Sequence, residues 1–531
     1  MRLYKLLILF VFALLVVQKV HAQADSAHKH TDSTQLIKDT LLRYKISPKY
    51  EFRGVWVATV ENIDWPAKGQ TAFEQQQQLT DILDAHQHMG INAIFFQVRP
   101  AADAFYAKSA EPWSKWLNGQ QGVAPNPMYD PLQLAITEAH KRGMELHAWF
   151  NPYRATNDNK YYALSPNHIT NLKPEWFFTY GGQKLFNPGL PEVREYIIHI
   201  ILNVLDNYDV DGIHMDDYFY PYLIDGQKIN DTAAFRMYGS DYEDIKDWRR
   251  HNVDTLIQAL GDSIHKHKPR AKFGVSPFGI WANKYQNPAG SETHGGSSYY
   301  ENYADVRKWM KEGWVDYAVP QLYWALNSRA ANFDTLINWW SNNTFNRHLY
   351  IGQAVYRAHE RSKASAAYRI PTEIPNEIRH LRNNPRIQGS VFFSSNSLTN
   401  NFLGIADSLH TNFYKYPALP PPMLWLDSVP PNIPRHLVAK VVPQGVNLTW
   451  QTPLPASDNE TAYGYVIYRF NDTTKVDLNN PQNILHIMYD TATTYLDNTV
   501  QRGKTYLYVI TAIDRLKNES DRSPTIAVKV P

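Results

Sequence analysis

No cysteine occurs anywhere in the 531 residues. That absence excludes disulfides, thiol nucleophiles and thiolate metal sites, and with them the anchoring residue of a lipoprotein. A charge imbalance is also missing. Lys and Arg number 53 against 51 Asp and Glu, a net charge of +2, so nothing electrostatic argues for nucleic acid or an anionic membrane as partner. The long apolar run is confined to Leu6–Val17, shorter than a membrane span. No Gly-rich dinucleotide turn follows the first expected strand. Ser276 precedes a proline and lacks the Gly-x-Ser-x-Gly turn of an esterase.

What is present begins with that apolar run. Arg2 and Lys5 precede or flank it, and Ala22-Gln23-Ala24 offers small residues for cleavage. Residues 1–24 therefore read as a secretory signal, with the product expected in the periplasm or outside the cell and without a membrane anchor. Loss of the three basic residues in this segment takes the net charge from +2 to −1. Residues 25–49 read as a polar arm. At this length more than one domain is expected.

From residue 50 to about 415 short apolar runs alternate with helical segments. The expected strands are Gly54–Thr59, Ala93–Val98, Glu145–Phe150, Gly212–Met215, Lys272–Ser276, Tyr317–Pro320, Leu349–Ala354 and Gly389–Phe393. Such runs are the signature of parallel strands covered by helices. Asp130-Pro131 starts a helix that Gly143 closes. Phe73, Leu79, Ile82, Leu83 and Met89 share a helical spacing that Gly90 ends. Leu190-Pro191 starts another helix, and a further one is expected over Tyr303–Glu312. The fold class is α/β, a (β/α)8 TIM barrel; a doubly wound open sheet is the rival.

Residues 416–434 are dense in proline and read as a stiff linker. Residues 435–531 alternate apolar and polar without helix signals, as a small all-β immunoglobulin-like sandwich does. Expected strands include Val446–Trp450, Tyr465–Arg469 and Tyr506–Asp514. Trp450 as core indole and Tyr506 as corner tyrosine resemble a fibronectin type III domain, whose role here is spacing or docking.

The chemistry concentrates in Asp211-Gly212-Ile213-His214-Met215-Asp216-Asp217-Tyr218-Phe219-Tyr220-Pro221. An apolar strand runs straight into two carboxylates at the end where a barrel keeps its working face. Period-two alternation puts His214 and Asp216 on one side, so Asp216 tops the lumen, while Asp217, also a catalytic candidate, turns toward a helix as a supporting or loop-capping group. Polar and aromatic residues gather at the same end of the other strands. They include Asp64 and Trp65; Gln97, Arg99, Asp103, Glu111 and Trp113; His147, Trp149, Asn151 and Arg154; Trp281; Gln321, Tyr323 and Trp324. Aromatics make up 13% of the chain, and flat aromatic faces suit the apolar faces of sugar rings.

Seven blocks resemble the glycosyl hydrolase-like 10 family over roughly residues 50–410. They are Arg53-Gly54-Val55-Trp56, Asn62-Ile63-Asp64-Trp65-Pro66, Gln97-Val98-Arg99-Pro100, His147 through Arg154, the Asp211–Pro221 segment, Ser276-Pro277-Phe278-Gly279-Ile280-Trp281 and Pro320-Gln321-Leu322-Tyr323-Trp324. The resemblance implies a TIM barrel, glycosidase activity and bacterial cell-wall glycan as substrate. The strand-4 block also looks like the Gly-x-x-x-Asp of the α-amylase-like clan, which carries a nucleophile or electrostatic role onto Asp216. That clan draws its acid from the end of strand 5. Here that end reads Gly274-Val275-Ser276-Pro277, without a carboxylate. Glu111, beside Trp113, is the first candidate for the acid; Asp64 and Asp103 follow. Gln97, Arg99, His147, Asn151, Arg154, Tyr218, Trp281, Gln321, Tyr323 and Trp324 are expected to hold the sugar.

No cofactor is called for. A divalent metal on His147, His214, Asp216 and Asp217 is the chemical rival, but no His-x-x-x-His or His-Glu pair accompanies those histidines. A barrel that binds glycan without cleaving it, or an adhesin carried by the sandwich, are readings of a different class.

Overall fold

The computed structural model describes residues 47–157, 163–471 and 475–531. The expected export signal and all but the last three residues of the expected polar arm lie outside the described residues. Lys49–Pro531 forms one continuous unit.

Strands β1 (Phe52–Val57), β2 (Ala93–Arg99) and β3 (Glu145–Phe150) are followed by a hairpin, β4 (Phe177–Tyr180) and β5 (Gln183–Phe186). Then come β6 (Gly212–Met215), β7 (Lys272–Val275), β8 (Tyr317–Ala318), β9 (His348–Gln353) and β10 (Gly389–Phe392). All but the hairpin close into one barrel in the order β1-β10-β9-β8-β7-β6-β3-β2. Every neighbour pair is parallel, with Phe52 opposite Gly389 and Gly54 opposite Ala93 at the closure. These are the eight expected strands, and an open doubly wound sheet is excluded. The hairpin was not anticipated. It is a short insertion in the loop after β3, and its four-residue strands are too brief for a periodic signal.

The helices follow their local chemistry. Helix Ala72–His88 opens with a capping box in which Thr71 and Glu74 exchange hydrogen bonds, satisfying two of the free amides at its start. Leu79, Ile82 and Leu83 are buried against the sheet, whereas Phe73 is 72% exposed and is not part of that face. Each buried aliphatic residue contributes roughly 1.5–3 kcal/mol. Asp130 accepts from the amides of Leu132 and Gln133, with Pro131 in the first turn. The helix expected over Tyr303–Glu312 is shorter, Val306–Glu312, because Asp305 caps it at Lys308 N and Tyr303 stands at φ +53.

The C-terminal region is a sandwich. One sheet orders β11 (Arg435–Val442), β12 (Gly445–Gln451) and β15 (Thr494–Asp497). The other orders β14 (Ile484–Met488), β13 (Gly464–Phe470), β16 (Thr505–Ile513) and β17 (Ile526–Lys529). Trp450 packs edge-on against Tyr465 at 5.1 Å in the core. The Tyr506 hydroxyl accepts from Gln501 N at 3.0 Å, the corner arrangement of this fold.

The proline-rich segment does more than link. Leu419 is fully buried in a cluster with Val466 and Val509 of the sandwich, and Met423 is fully buried with Phe52, Tyr317 and Tyr350 at the foot of the barrel. Trp425 donates to Asp316 at 2.9 Å. Below the barrel, Arg270 is clamped by Asp427, Asp458 and Glu460. Lys517, from the turn after β16, is fully buried and reaches Glu145 at 3.1 Å. The sandwich is thus docked on the N-terminal end of the barrel and leaves the opposite end free.

Candidate active site

A cavity of about 320 Å³ opens at the C-terminal ends of the strands. Trp56 and Ala58 come from β1 and its end, Gln97 from β2, and Trp149 and Asn151 from β3 and the residue just past it. Asp216, Asp217 and Tyr218 follow β6; Ser276, Gln321, Tyr323, Tyr356 and Phe393 complete the wall.

Asp216 is buried at 3% exposure. Its Oδ2 accepts from Asn151 Nδ2 and, at 3.3 Å, from Trp149 Nε1. The orientation of Asn151 is dictated from behind. Gln97 Oε1 accepts from the amides of Thr59 and Val60, each at 2.9 Å, so its Nε2 must point the other way. That nitrogen donates to Asn151 Oδ1 at 2.6 Å, which turns the Asn151 amide nitrogen onto Asp216. Burial pushes the Asp216 carboxyl up to about 6, against the lowering effect of Arg154, the Tyr218 amide and Trp149.

Asp217 lines the same cavity. It was expected to turn toward a helix, but β6 ends at Met215 and strand alternation no longer governs the next two residues. Tyr222 donates its hydroxyl to Asp217 Oδ2. Burial, and next the negative charge of Asp216, push the Asp217 carboxyl up to about 7. Two adjacent carboxyls thus face one cavity, and the charge of Asp216 adds to the burial that raises Asp217, so that Asp217 keeps its proton to the higher pH.

The floor is a polar chain along the barrel axis. Trp56 Nε1 donates to His214 Nε2 at 3.3 Å, and Ser276 Oγ lies 3.0 Å from the same nitrogen. An indole nitrogen can only donate, so His214 Nε2 accepts and Nδ1 carries the proton. Nδ1 meets the Tyr317 hydroxyl at 3.2 Å, which lies 2.9 Å from His147 Nδ1. His147 Nε2 then donates to Glu145 at 3.2 Å, and Glu145 is held by Lys272 at 2.7 Å from below. Burial holds both imidazoles below the usual histidine range. They are neutral, with both nitrogens of each engaged. His147 therefore sits beneath the cavity instead of holding sugar. Ser276 and His214 lack the geometry of a nucleophilic pair, since His214 Nε2 already accepts from the Trp56 indole and its Nδ1 meets a tyrosine hydroxyl and no carboxylate.

Glu111 is placed elsewhere. Its two oxygens accept from Arg99 at 2.6 and 2.7 Å, and Tyr196 adds a bond at 3.0 Å. Arg99 also donates to the carbonyls of Asn151 and Pro152. The pair is a buried brace under the loop that carries Asn151, and neither member lines the cavity. Asp64 accepts from Ala58 N, Ser394 Oγ and Asn396 N, tying the ends of β1 and β10 together. Asp103 bonds Gln121. Neither reaches the cavity.

Trp281 donates to Asp305 and stacks on Trp339 at 5.5 Å, outside the cavity. Trp324 packs edge-on against Phe278. Trp65 is buried and donates to Gln75 O, and Trp113 packs on the main core. Gln97, Asn151, Arg154, Tyr218, Gln321 and Tyr323 do line the cavity. Trp56, Tyr356 and Phe393 line it as well and were not among the expected sugar contacts. Alternation along β1 places Trp56 two residues past Gly54 and points it into the lumen, so that one was within reach.

The sequence profile of the glycosyl hydrolase-like 10 family matches residues 51–370. The chain belongs to this family. It is 44% identical over 481 residues to the glycosyl hydrolase YngK of Bacillus subtilis, which covers 89% of this chain and 92% of that protein. It is 39% identical over 368 residues to the glycosyl hydrolase DigH of Escherichia coli K12, covering 65% of this chain and 83% of that protein. As a glycosyl hydrolase-like 10 member the chain has glycan hydrolysis as its reaction class. The match to YngK extends beyond the family profile, which stops at residue 370.

Proposed function

We propose that the protein is exported and hydrolyses the glycan strands of bacterial cell wall, with Asp216 and Asp217 as its working carboxyls. The observation that carries this is the pair itself. Two carboxyls with unequal surroundings face one cavity walled by Trp56, Trp149, Tyr218, Tyr323, Tyr356 and Phe393. Hydrolysis of an O-glycosidic bond needs an acid for the leaving oxygen and a carboxylate for the oxocarbenium-like centre.

Asp217 gives its proton to the glycosidic oxygen as the C–O bond breaks. Asp216, held ionised by Asn151 and Trp149, stabilises or attacks the anomeric carbon. Water then supplies the oxygen at that carbon, and its proton returns to Asp217. Asp217 takes the place of the acid missing from the end of β7. A cell-wall substrate is supported by the family resemblance and by the apolar N-terminal segment that reads as an export signal.

A barrel that binds glycan without cutting it is the alternative. Mass spectrometry of products from purified peptidoglycan, with and without prior removal of stem peptides, separates the two. Wild type is expected to release saccharides with water-added ends, and Asp216→Asn to release none while still binding glycan. Binding by both proteins without products from either would establish the non-catalytic reading.

A further inference from the structure

A second cavity, of about 210 Å³, lies beside the first and shares Arg154 and Tyr218 with it. Its walls are the β4–β5 hairpin, through Phe178, Tyr180 and Leu185, and the loop after the paired carboxyls, through Phe219, Tyr222 and Ile224. Arg154 is the charged side chain in this lining.

The geometry points to a sugar subsite: we propose that this cavity takes the neighbouring pyranose unit of the glycan whose scissile bond lies at Asp216 and Asp217. The inference rests on the hydrolase reading above and adds where the chain continues.

Three observations support it. Tyr218, which with Arg154 lines both cavities, is the residue directly after the carboxyls. Its ring is fixed by the Arg154 guanidinium at 4.3 Å and by Tyr222, edge-on at 5.8 Å. A glycan with one unit in each cavity crosses at Tyr218 and Arg154, which line both. Second, the rim is braced. Ile224 N donates to the Tyr180 hydroxyl at 2.7 Å, and Gly181 N donates to Gln227 at 2.8 Å, which joins the loop to the hairpin. A braced cavity needs little ordering when it receives a ligand. Third, the lining suits a sugar. Aromatic and aliphatic side chains meet the apolar face of a pyranose or the methyl of an N-acyl group, while Arg154 offers donors to its oxygens.

The test uses the full chain and a ladder of peptidoglycan-derived glycan oligosaccharides with one to four disaccharide repeats. Affinity is read by calorimetry on Asp216→Asn, alone and combined with Ile224→Trp or Ile224→Glu. Ile224 is 41% exposed, so neither change disturbs a core. Affinity is expected to rise along the ladder in Asp216→Asn and to lose about tenfold of that rise, about 1.4 kcal/mol, when the bulk of Ile224→Trp fills the cavity or Ile224→Glu puts a charge into its apolar wall. Equal gains with length in all three proteins, or no gain in any, would overturn the subsite. Turnover of the same ladder by otherwise wild-type protein and by the single Ile224 variants reports separately on the hydrolase reading. Absence of turnover with length-dependent binding defeats the hydrolase reading and leaves the subsite standing.

Discussion

Lys517, on a turn of the C-terminal sandwich, sits 3.1 Å from the Glu145 carboxylate at the foot of β3. Glu145 is the lowest member of the axial chain that ends at Trp56 on the cavity floor. Arg515, two residues earlier, bonds the carbonyls of Asp209 and Val210 and the Asp209 carboxylate. Those residues lead into β6, the four-residue strand that presents Asp216 and Asp217 at its other end. The sandwich therefore grips the barrel directly beneath its candidate catalytic residues.

Removing this grip has a measurable cost. Lys517→Met leaves Glu145 with Lys272 and without its second cation. We expect a loss on the order of 3 kcal/mol, the scale for breaking a buried ion pair from one side. Urea unfolding reads it. A change within about 0.5 kcal/mol, the range of ordinary surface substitutions, would mean that the two domains are not coupled this way in solution.

The carboxyl pair sets a narrow pH window. With Asp216 and Asp217 in the proposed roles, activity needs Asp216 ionised and is expected to rise through about 6. It needs Asp217 protonated, so it falls through about 7. The kcat/KM profile is expected to be bell-shaped with its maximum between these values, which belong to the pair as a unit. Asp217→Asn should remove nearly all turnover and abolish the alkaline limb of any remainder. An unchanged alkaline limb in that variant assigns the acid to another group.

Asn151 acts on Asp216 through one hydrogen bond. Asn151→Leu removes a donor that favours the carboxylate, so the Asp216 carboxyl rises and the acid limb moves to higher pH. We expect kcat to fall by about ten- to a hundredfold with KM little changed, as for loss of a positioning contact. A profile that keeps its acid limb while kcat falls would show that Asn151 serves something other than Asp216.

Glu111 separates the brace from the chemistry. Glu111→Gln leaves Arg99 buried without its anion, and a cost of about 3–5 kcal/mol follows for breaking such a pair. Turnover per folded molecule, measured below the unfolding transition, is expected to remain within a factor of two or so of wild type. Loss of turnover in fully folded Glu111→Gln would return Glu111 to the chemistry.

Much of this protein was legible from local rules. Apolar runs spaced by helical segments located the eight barrel strands, because strand and helix periods are written into neighbouring residues. Trp450 and Tyr506 marked the sandwich for the same reason. Asp216 was legible because a carboxylate directly after an apolar strand has few places to go.

Which candidate carboxyl shares the cavity with Asp216 was not legible. Glu111 and Asp217 look alike as residues, and what separates them is Arg99, which folds onto one of them. Alternation also misled at Asp217, since it holds only while the strand lasts. The tryptophans divided likewise: Trp56 and Trp149 reach the cavity, while Trp65 and Trp281 pack elsewhere. By itself the sequence determined the fold class, the order of the barrel strands and the strand that carries Asp216, all properties of residues near one another in the chain. Tertiary structure alone decided which carboxyls share a cavity, and that the proline-rich segment docks the sandwich under the barrel. Those outcomes depend on contacts between residues such as Glu145 and Lys517, hundreds of positions apart, whose partners no local pattern specifies.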